Sequence, residues 1–406
     1  MSLRGALLVF ALACAAVLTG CGQDSKPRAL TPAEKLTLPQ LVGQRVVAGF
    51  TGTKPPQRLL IAIRQGAVGG VILFADNAPS MRKTQRMIGR LQNEARLGKQ
   101  PYLLVMTDQE GGEVRRFAWA PPKQSAQEMG ASSRAVDKAH SQGTLTGAAL
   151  RQVGVNVDLA PVADIVPTGA TGVTAPTDSG GVSAPVTAAV TAETVAINDP
   201  TSLTGGVPPI ADPFLGPRSF GSSPRKVAKA ACGFVSGLQN AAVAATMKHF
   251  PGLGLASANT DFAAVDVTAP TKAIKAGWRP YATCDQPPKL AMISSAHYPS
   301  LGIKKPAVID PHTYELLAST GFHGLTITDS FDTPAIKDYA DAPLRALKAG
   351  VTFVLFGQRT SFATKAYDKL LAQAQSGAIT KPELQADAAR ILSFKKQLRD
   401  GDWNAQ

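Results

Sequence analysis

Polar side chains follow several short apolar runs of this chain, at the point where each run ends. These residues are Asp108, Asp164, Lys248 with His249, His297 and Asp329. Carboxylates can act as nucleophiles or proton carriers, and Lys and His side chains donate hydrogen bonds to oxygen. If the runs are parallel strands, their carboxyl ends converge on one face. The spacing therefore predicts one pocket that combines acidic and basic groups.

Eight apolar runs, each flanked by turn residues, alternate with helical patterns, which is typical of βα units around a parallel sheet. The runs cover 45–50, 68–74, 102–108, 155–164, 244–250, 290–296, 324–330 and 352–358. Helical patterns cover 80–97, 133–152, 224–239 and 382–398. We predict the α/β class and a (β/α)8 TIM barrel over residues 36–398. A doubly wound open sheet is the alternative, but no Gly-x-Gly-x-x-Gly follows the first run.

The N-terminus has the pattern of an export signal over residues 1–20. One Arg precedes an apolar run that is shorter than the roughly 20 residues of a membrane-spanning helix. The run ends in Leu-Thr-Gly-Cys, which resembles a bacterial lipobox, so Cys21 would be lipidated. Residues 22–35 then form a polar tether. We expect an extracytoplasmic protein that is anchored to the cell membrane by lipid, with a buried N-terminal helix as the alternative.

Composition narrows the partners of the chain. A formal net charge of +13 favours an anionic surface such as a wall polymer or lipid headgroups, and nucleic acid is not expected outside the membrane. Cys232 and Cys284 would meet oxidising conditions, where they form either a disulfide or two separate buried thiols. No His/Cys/Asp cluster has the spacing of a metal site, so no cofactor is expected. The oligomeric state is left open.

One segment departs from the alternating pattern. Residues 167–211 are rich in Ala, Thr, Gly, Pro and Val and carry almost no charge and no helical period. We interpret this segment as an insertion after the fourth strand, on the side where the polar residues gather. Long loops of this kind are either disordered surface excursions or functional lids, and the composition favours the first.

Six segments occur in the order in which glycoside hydrolase family 3 has its landmarks. They are VGGVILFADN (68–77), DQEGGEVRRF (108–117), GVNVDLAPVADI (154–165), LGPRSFGSSP (215–224), KHFPGLG (248–254) and GFHGLTITDSFD (321–332). The chain resembles the single-domain β-N-acetylhexosaminidase branch of that family, which has a barrel without a second α/β domain. The resemblance implies a retaining, exo-acting β-glycoside hydrolase, foremost a β-N-acetylglucosaminidase on cell-wall or chitin-derived fragments. A β-glucosidase and a non-catalytic sugar-binding lipoprotein are the alternatives.

The resemblance also implies roles for individual residues. Retaining hydrolysis needs a carboxylate nucleophile and a proton donor, about 5 to 5.5 Å apart when both are carboxyls. Asp329, in the TDS motif, matches the nucleophile, although a helix N-cap is the structural alternative. The residues that match sugar-binding positions are Asp108, Arg116, Asp164, Arg218, Lys248 and His249. Asp164 either contacts substrate or orients an Arg, Glu110 shapes its loop, and His297 is a satisfied strand-end histidine.

The segment KHFPGLGLASANTD departs from the pattern of this branch. Relatives have KHFPGHG and then an Asp-x-His pair whose His is the general acid/base. Here Leu253 replaces the first of these histidines, and Asn259, Thr260 and Asp261 occupy the Asp-x-His position. Either hydrolysis has been lost, or Asp261 supplies the proton as a carboxylic acid, as in most glycosidases.

Overall fold

The structure is a computed structural model that describes residues 28–167 and 215–401. The predicted signal, Cys21, the start of the tether and the predicted insertion from residue 168 onward lie outside the described residues. The strands are β1 Val46–Ala48, β2 Gly70–Leu73, β3 Leu104–Thr107, β4 Gln109–Gly111, β5 Val114–Arg115, β6 Val157–Asp158, β7 Ala244–Phe250, β8 Leu290–Ile293, β9 Leu325–Ser330 and β10 Phe353–Phe356.

Eight of these strands close into a parallel barrel in the order β1-β10-β9-β8-β7-β6-β3-β2. Each pairs in parallel with the next, as Val47 of β1 does with Leu355 of β10 on one side and Gly70 of β2 on the other. The remaining two, β4 and β5, form an antiparallel hairpin directly after β3. All eight predicted runs contain a barrel strand, so the predicted (β/α)8 fold is confirmed.

Helices connect the strands around the outside. They are α1 Leu38–Gly43, α2 Gln57–Gln65, α3 Met81–Leu97, α4 Ala126–Gly130, α5 Ala135–Val153, α6 Pro224–Asn240, α7 Thr271–Ala276, α8 Arg279–Thr283, α9 Pro311–Ser319, α10 Pro334–Lys337, α11 Ala342–Ala349, α12 Thr360–Gln375 and α13 Lys381–Asp400. Short 3₁₀ helices cover Ala75–Asn77, Pro299–Leu301 and Ala307–Ile309. The four predicted helical patterns correspond to α3, α5, α6 and α13, with ends that differ by at most two residues.

Helix α13 closes the N-terminal end of the barrel. Its Ile391, Phe394 and Leu398 pack into the cluster of inward-facing strand residues. Lys395 on the same helix donates hydrogen bonds to Gln44 Oε1 at 2.7 Å and to the Gly69 carbonyl at 2.8 Å, just before β1 and β2. Burial lowers the pKa of Lys395 to about 7. Because apolar packing fills this end, the polar strand ends are left to the opposite face.

A disulfide ties two outer helices together. Cys232 of α6 is bonded to Cys284, which follows α8, and their Cα atoms are 5.1 Å apart. Of the two alternatives that the sequence allowed, the structure has the disulfide. Within residues 28–167 and 215–401, no helix is both long and apolar enough to span a bilayer.

Candidate active site

A buried cluster of two cations and two carboxylates lies at the C-terminal ends of β3 and β7. The Lys248 ammonium is 2.7 Å from Asp108 Oδ1 and 2.6 Å from Glu110 Oε1. Arg218 makes a bidentate pair with Glu110, with Nε to Oε2 and Nη2 to Oε1 both at 2.8 Å. Charge is balanced within the cluster, and the side chains of Lys248 and Glu110 are only 2% and 3% exposed. Such pairing is the condition under which charges can be buried.

The ionisation of the cluster follows from this pairing. Burial acts to raise the pKa of Glu110, but the charges of Arg218 and Lys248 outweigh it and hold that pKa well below its usual range. Burial acts to lower the pKa of Lys248, and the charges of Asp108 and Glu110 reverse the shift and raise it. The pKa of Arg218 is raised against burial, chiefly by Glu110. Glu110, Lys248 and Arg218 are therefore all charged at neutral pH.

Glu110 is a site residue that the sequence assigned only to loop shape. It lies in the middle of β4, and the β4–β5 hairpin turns its side chain back to Arg218 and Lys248. Gly111 has φ +105°, and a Cβ there would lie 2.2 Å from the Gln124 carbonyl oxygen, so only glycine fits. The Glu-Gly-Gly order after β3 was the available signal, because a glycine-bent hairpin can return a neighbouring side chain to the strand end.

Asp158 adds a third carboxyl beside the cluster. It is buried at the end of β6, and its Oδ1 accepts a hydrogen bond from the Gln109 backbone at 2.9 Å. Burial, reinforced by the charge of Asp108, raises its pKa well above the usual value. The raised pKa favours the neutral form of Asp158, which adds no negative charge to the cluster.

Asp164 and His249 form a second buried pair. Asp164 Oδ2 is 2.7 Å from His249 Nδ1 and accepts from the His249 backbone at 3.2 Å, while Oδ1 accepts from the Leu253 backbone at 2.6 Å. Asp164 thus fixes the imidazole ring through Nδ1 and holds the chain that follows β7. The sequence predicted that Asp164 either contacts substrate or orients an Arg. The geometry instead indicates a different role, which is to orient His249.

Arg116 lies on the same face, next to the end of β3. Its guanidinium stacks over the Phe74 ring at 5.5 Å from the centroid, and its backbone N–H donates to the Asp108 carbonyl at 3.4 Å. Asp108 keeps 13% of its side chain exposed, more than Lys248 beside it. The structure therefore brings the six predicted binding residues to two neighbouring groups at one end of the barrel.

Asp329 occupies the end of β9. The Ser330 backbone donates to Asp329 Oδ1 at 2.8 Å, and Thr328 and Ser330 accept hydrogen bonds from the Leu355 and Gly357 backbones at 2.9 and 3.1 Å. These bonds fix the strand end against β10. Helix α10 has Thr333 as its N-cap, so the alternative role of Asp329 as a helix cap does not hold.

Asp261 lies in the loop between β7 and α7, within electrostatic reach of Asp329. Burial and then the charge of Asp329 raise the pKa of Asp261, Arg218 and His249 act against them, and the result is about 6. Asp261 is solvent-exposed by surface area, in an exposed run that continues to residue 264, and the protein around its carboxyl still removes part of its hydration. Asp261 and Asp329 come from distant parts of the chain, and the fold brings them close enough for the charge of Asp329 to act on the pKa of Asp261.

The described residues contain no group of three or more His, Cys, Asp or Glu side chains that could hold a metal ion.

Comparison with known proteins identifies the class. The sequence model of the glycosyl hydrolase family 3 N-terminal domain matches residues 35–194 and 209–394. The chain belongs to this family, and it is a glycoside hydrolase that acts on O-glycosyl bonds.

Three similar proteins show how much of the chain the family likeness covers. An uncharacterized secreted glycosyl hydrolase of Arthroderma benhamiae is 29% identical over 90% of this chain and 96% of its own. The β-N-acetylhexosaminidase structure from Beutenbergia cavernae is 26% identical, with a TM-score of 0.71 over 89% of this chain and 99% of its own. A family 3 β-N-acetylglucosaminidase structure from Paenibacillus is 27% identical, with a TM-score of 0.73 over 91% of this chain. The chain spans 64% of that longer protein.

Proposed function

We propose that this protein is a retaining, exo-acting β-N-acetylglucosaminidase in which Asp329 is the nucleophile and Asp261 the general acid/base. The observation that carries the proposal is that the fold brings Asp261, in the loop after β7, within electrostatic reach of Asp329 at the end of β9, where burial and then the charge of Asp329 raise the pKa of Asp261 to about 6. Paired carboxyls whose environments separate their protonation states are the usual acid and nucleophile of a glycosidase. The position of Asp261, where related enzymes have a catalytic histidine, supports the same role.

The reaction has two steps. Asp329 attacks the anomeric carbon while protonated Asp261 gives its proton to the departing glycosidic oxygen, which leaves a glycosyl-enzyme ester and an Asp261 carboxylate. That carboxylate then removes a proton from water, the water oxygen attacks the anomeric carbon, and the bond to Asp329 breaks. Both carboxyls return to their starting states, and the anomeric configuration is retained.

The charged cluster would bind the terminal sugar. Asp108 accepts from sugar hydroxyls, while Lys248, Arg116 and Arg218 donate to their oxygens. His249 would accept a hydrogen bond from a sugar hydroxyl through Nε2, because Asp164 accepts from Nδ1–H and so fixes that tautomer. Asp164 would then influence binding through His249. Glu110 keeps the Lys248 and Arg218 cations in place for this role.

Variants at the two carboxyls test the mechanism. Asp329→Asn should abolish turnover of every substrate, because no glycosyl-enzyme forms. Asp261→Asn should still form the intermediate from a dinitrophenyl glycoside, but should lose most of the ~10² to 10⁴-fold that acid catalysis contributes for a sugar leaving group. Azide should rescue Asp261→Ala as a β-glycosyl azide. Asp285→Asn, at an exposed position, is the matched control.

Equal losses of Asp261→Asn on good and poor leaving groups, without an azide adduct, would place the acid elsewhere. Sugar specificity is read from the same assays with aryl N-acetylglucosaminides and aryl glucosides. The named activities of the Beutenbergia and Paenibacillus relatives favour the first. If the protein binds sugars but turns over neither the aryl N-acetylglucosaminides nor the aryl glucosides, the alternative of a non-catalytic sugar-binding lipoprotein is favoured.

We further propose that the protein acts outside the cytoplasm, tethered by lipid on Cys21, on cell-wall or chitin-derived fragments. Support comes from the lipobox-like sequence, the formal net charge of +13, the Cys232–Cys284 disulfide and the secreted Arthroderma relative. The wild type should partition with membranes and Cys21→Ser should not. Recovery of both in the soluble fraction would remove the anchor.

A further inference from the structure

The loop that carries Asp261 is held at both ends and exposed in its middle. We call residues 253–270, between β7 and α7, the acid loop. At its start the Leu253 backbone donates to Asp164, and Leu253 is buried. Residues 261–264 are exposed, whereas Val265, Val267 and Ala269 are again buried. The far end therefore needs an anchor of its own to fix the position of Asp261.

His297, beyond the end of β8, supplies backbone pairing to that far end. Its N–H donates to the Val265 carbonyl at 2.9 Å, and its carbonyl accepts from the Val267 N–H at 2.8 Å. These bonds make a parallel bridge between Asp266 and His297. The acid loop is thus joined at Asp266 to the segment that follows β8 by a single parallel bridge.

The His297 side chain joins a third element to this pair. Its Nδ1 is 2.8 Å from Asp266 Oδ1 in the acid loop, and its Nε2 is 3.1 Å from the Tyr339 hydroxyl. Tyr339 lies between α10 and α11, in the segment that follows Asp329. A neutral imidazole satisfies both contacts when Nδ1 donates to the carboxylate and Nε2 accepts from the phenol. The ring is 14% exposed, so protein packing limits its movement.

We propose that His297 is a positioning residue for acid catalysis, which fixes the acid loop against the segment that follows the nucleophile strand. The inference rests on the proposed role of Asp261, which lies five residues before Asp266. Loss of the contacts would let Asp261 move while leaving Asp329, on β9, in place. The rate of proton donation would fall, because it depends on the position of the Asp261 carboxyl, whereas the rate of nucleophilic attack by Asp329 would not.

The test compares leaving groups in three variants at this position. His297→Ala should lower kcat for a sugar leaving group by roughly 10- to 100-fold, the scale of a misplaced catalytic group, and should change kcat for a dinitrophenyl glycoside far less. His297→Asn keeps a donor near Nδ1 and should recover much of the loss. His297→Gln keeps only the reach towards Tyr339 and should not. His312→Ala, which removes a similar but exposed histidine–carboxylate pair, should have no effect.

A double variant separates positioning from general support of the fold. In the Asp261→Asn background, His297→Ala should cause no further loss on poor leaving groups, because the group it positions is already gone. Additive losses, or equal losses on both leaving groups, would overturn the inference. If His297→Ala does not fold, Asp266→Asn and Tyr339→Phe should each lower kcat more for a sugar leaving group than for a dinitrophenyl glycoside, by a smaller factor than His297→Ala. If Asp261→Asn lowers kcat equally for good and poor leaving groups, the proposed role of Asp261 as the acid is wrong, whatever the result for His297.

Discussion

Glu110→Gln should destabilise the fold as well as impair the enzyme. The substitution keeps the size of the side chain but removes one of the two negative charges that balance Lys248 and Arg218. The two cations are only 2% and 12% exposed, so water cannot replace the lost carboxylate. Removing one partner of a buried ion pair costs ~3 to 5 kcal/mol.

At about 2 °C per kcal/mol, the low end of the range for large domains, the loss corresponds to a drop of roughly 6 to 10 °C in Tm. The pH dependence has a defined sign. The folded pKa of Glu110 is lowered from its ordinary value of 4.5, so its stabilisation is full above pH 4.5 and declines as the pH falls towards the folded value. The Tm difference between wild type and Glu110→Gln should therefore be largest at neutral pH and shrink below pH 4.5.

Thermal unfolding followed by circular dichroism, from pH 3.5 to 7.5, measures this difference. Glu113→Gln is the matched control, because Glu113 is exposed on the same hairpin. The loss of a fixed Lys248 and Arg218 should also raise KM and lower kcat/KM by roughly 100-fold. If Glu110→Gln melts like Glu113→Gln and keeps its KM, then the charge of Glu110 does not hold the cluster together.

Three further expectations concern the acid loop. Because general acid catalysis needs protonated Asp261 and its pKa is about 6, kcat/KM for poor leaving groups should fall above pH 6, and Asp261→Asn should lack that limb. The pKa of Asp261 is higher in the folded protein, about 6, than its ordinary value of 3.8, so ionisation of Asp261 destabilises the fold as the pH rises above 3.8 and does so fully above pH 6. Asp261→Asn should therefore raise Tm at pH 7.5 and leave it unchanged below pH 3.8. Phe262, next to Asp261, is 76% exposed and should contact the leaving sugar. Phe262→Ala should therefore lower kcat/KM for a disaccharide roughly 2- to 12-fold, the size of an aromatic contact, and should leave kcat/KM for a methyl glycoside unchanged. The control Phe362→Ala, at an exposed position on α12, should change neither value. Equal effects on both substrates would assign Phe262 to the fold instead.

Much of the fold could be predicted because it depends on local pattern. Apolar runs of strand length that alternate with helical periods leave few arrangements other than a barrel, and each predicted run contains a strand of it. The same pattern predicted that Asp108, Lys248 and Asp329 would share one face, since parallel strands all end there. The order of the six landmark segments indicated the family. The fold and the shared face need only the sequence because they follow from spacing along the chain, whereas the family followed from the resemblance of these segments.

The partners of each polar group were decided by the tertiary structure. Lys248 meets Asp108 across 140 residues of sequence, Arg218 meets Glu110 across 108, and His249 meets Asp164 across 85. A one-dimensional pattern places side chains on a face but does not say which of them lie within hydrogen-bond distance.

The contrast is clearest at Asp261. Its sequence position suggested an acid, but its pKa depends on burial and on the charge of Asp329, which lies in a different part of the chain. Glu110 and His297 appeared from sequence to be a loop residue and a satisfied histidine, because their contacts form only when the hairpin, the acid loop and the segment after β9 come together. Electrostatic and hydrogen-bond energies fall steeply with distance, so they are fixed only by the folded arrangement.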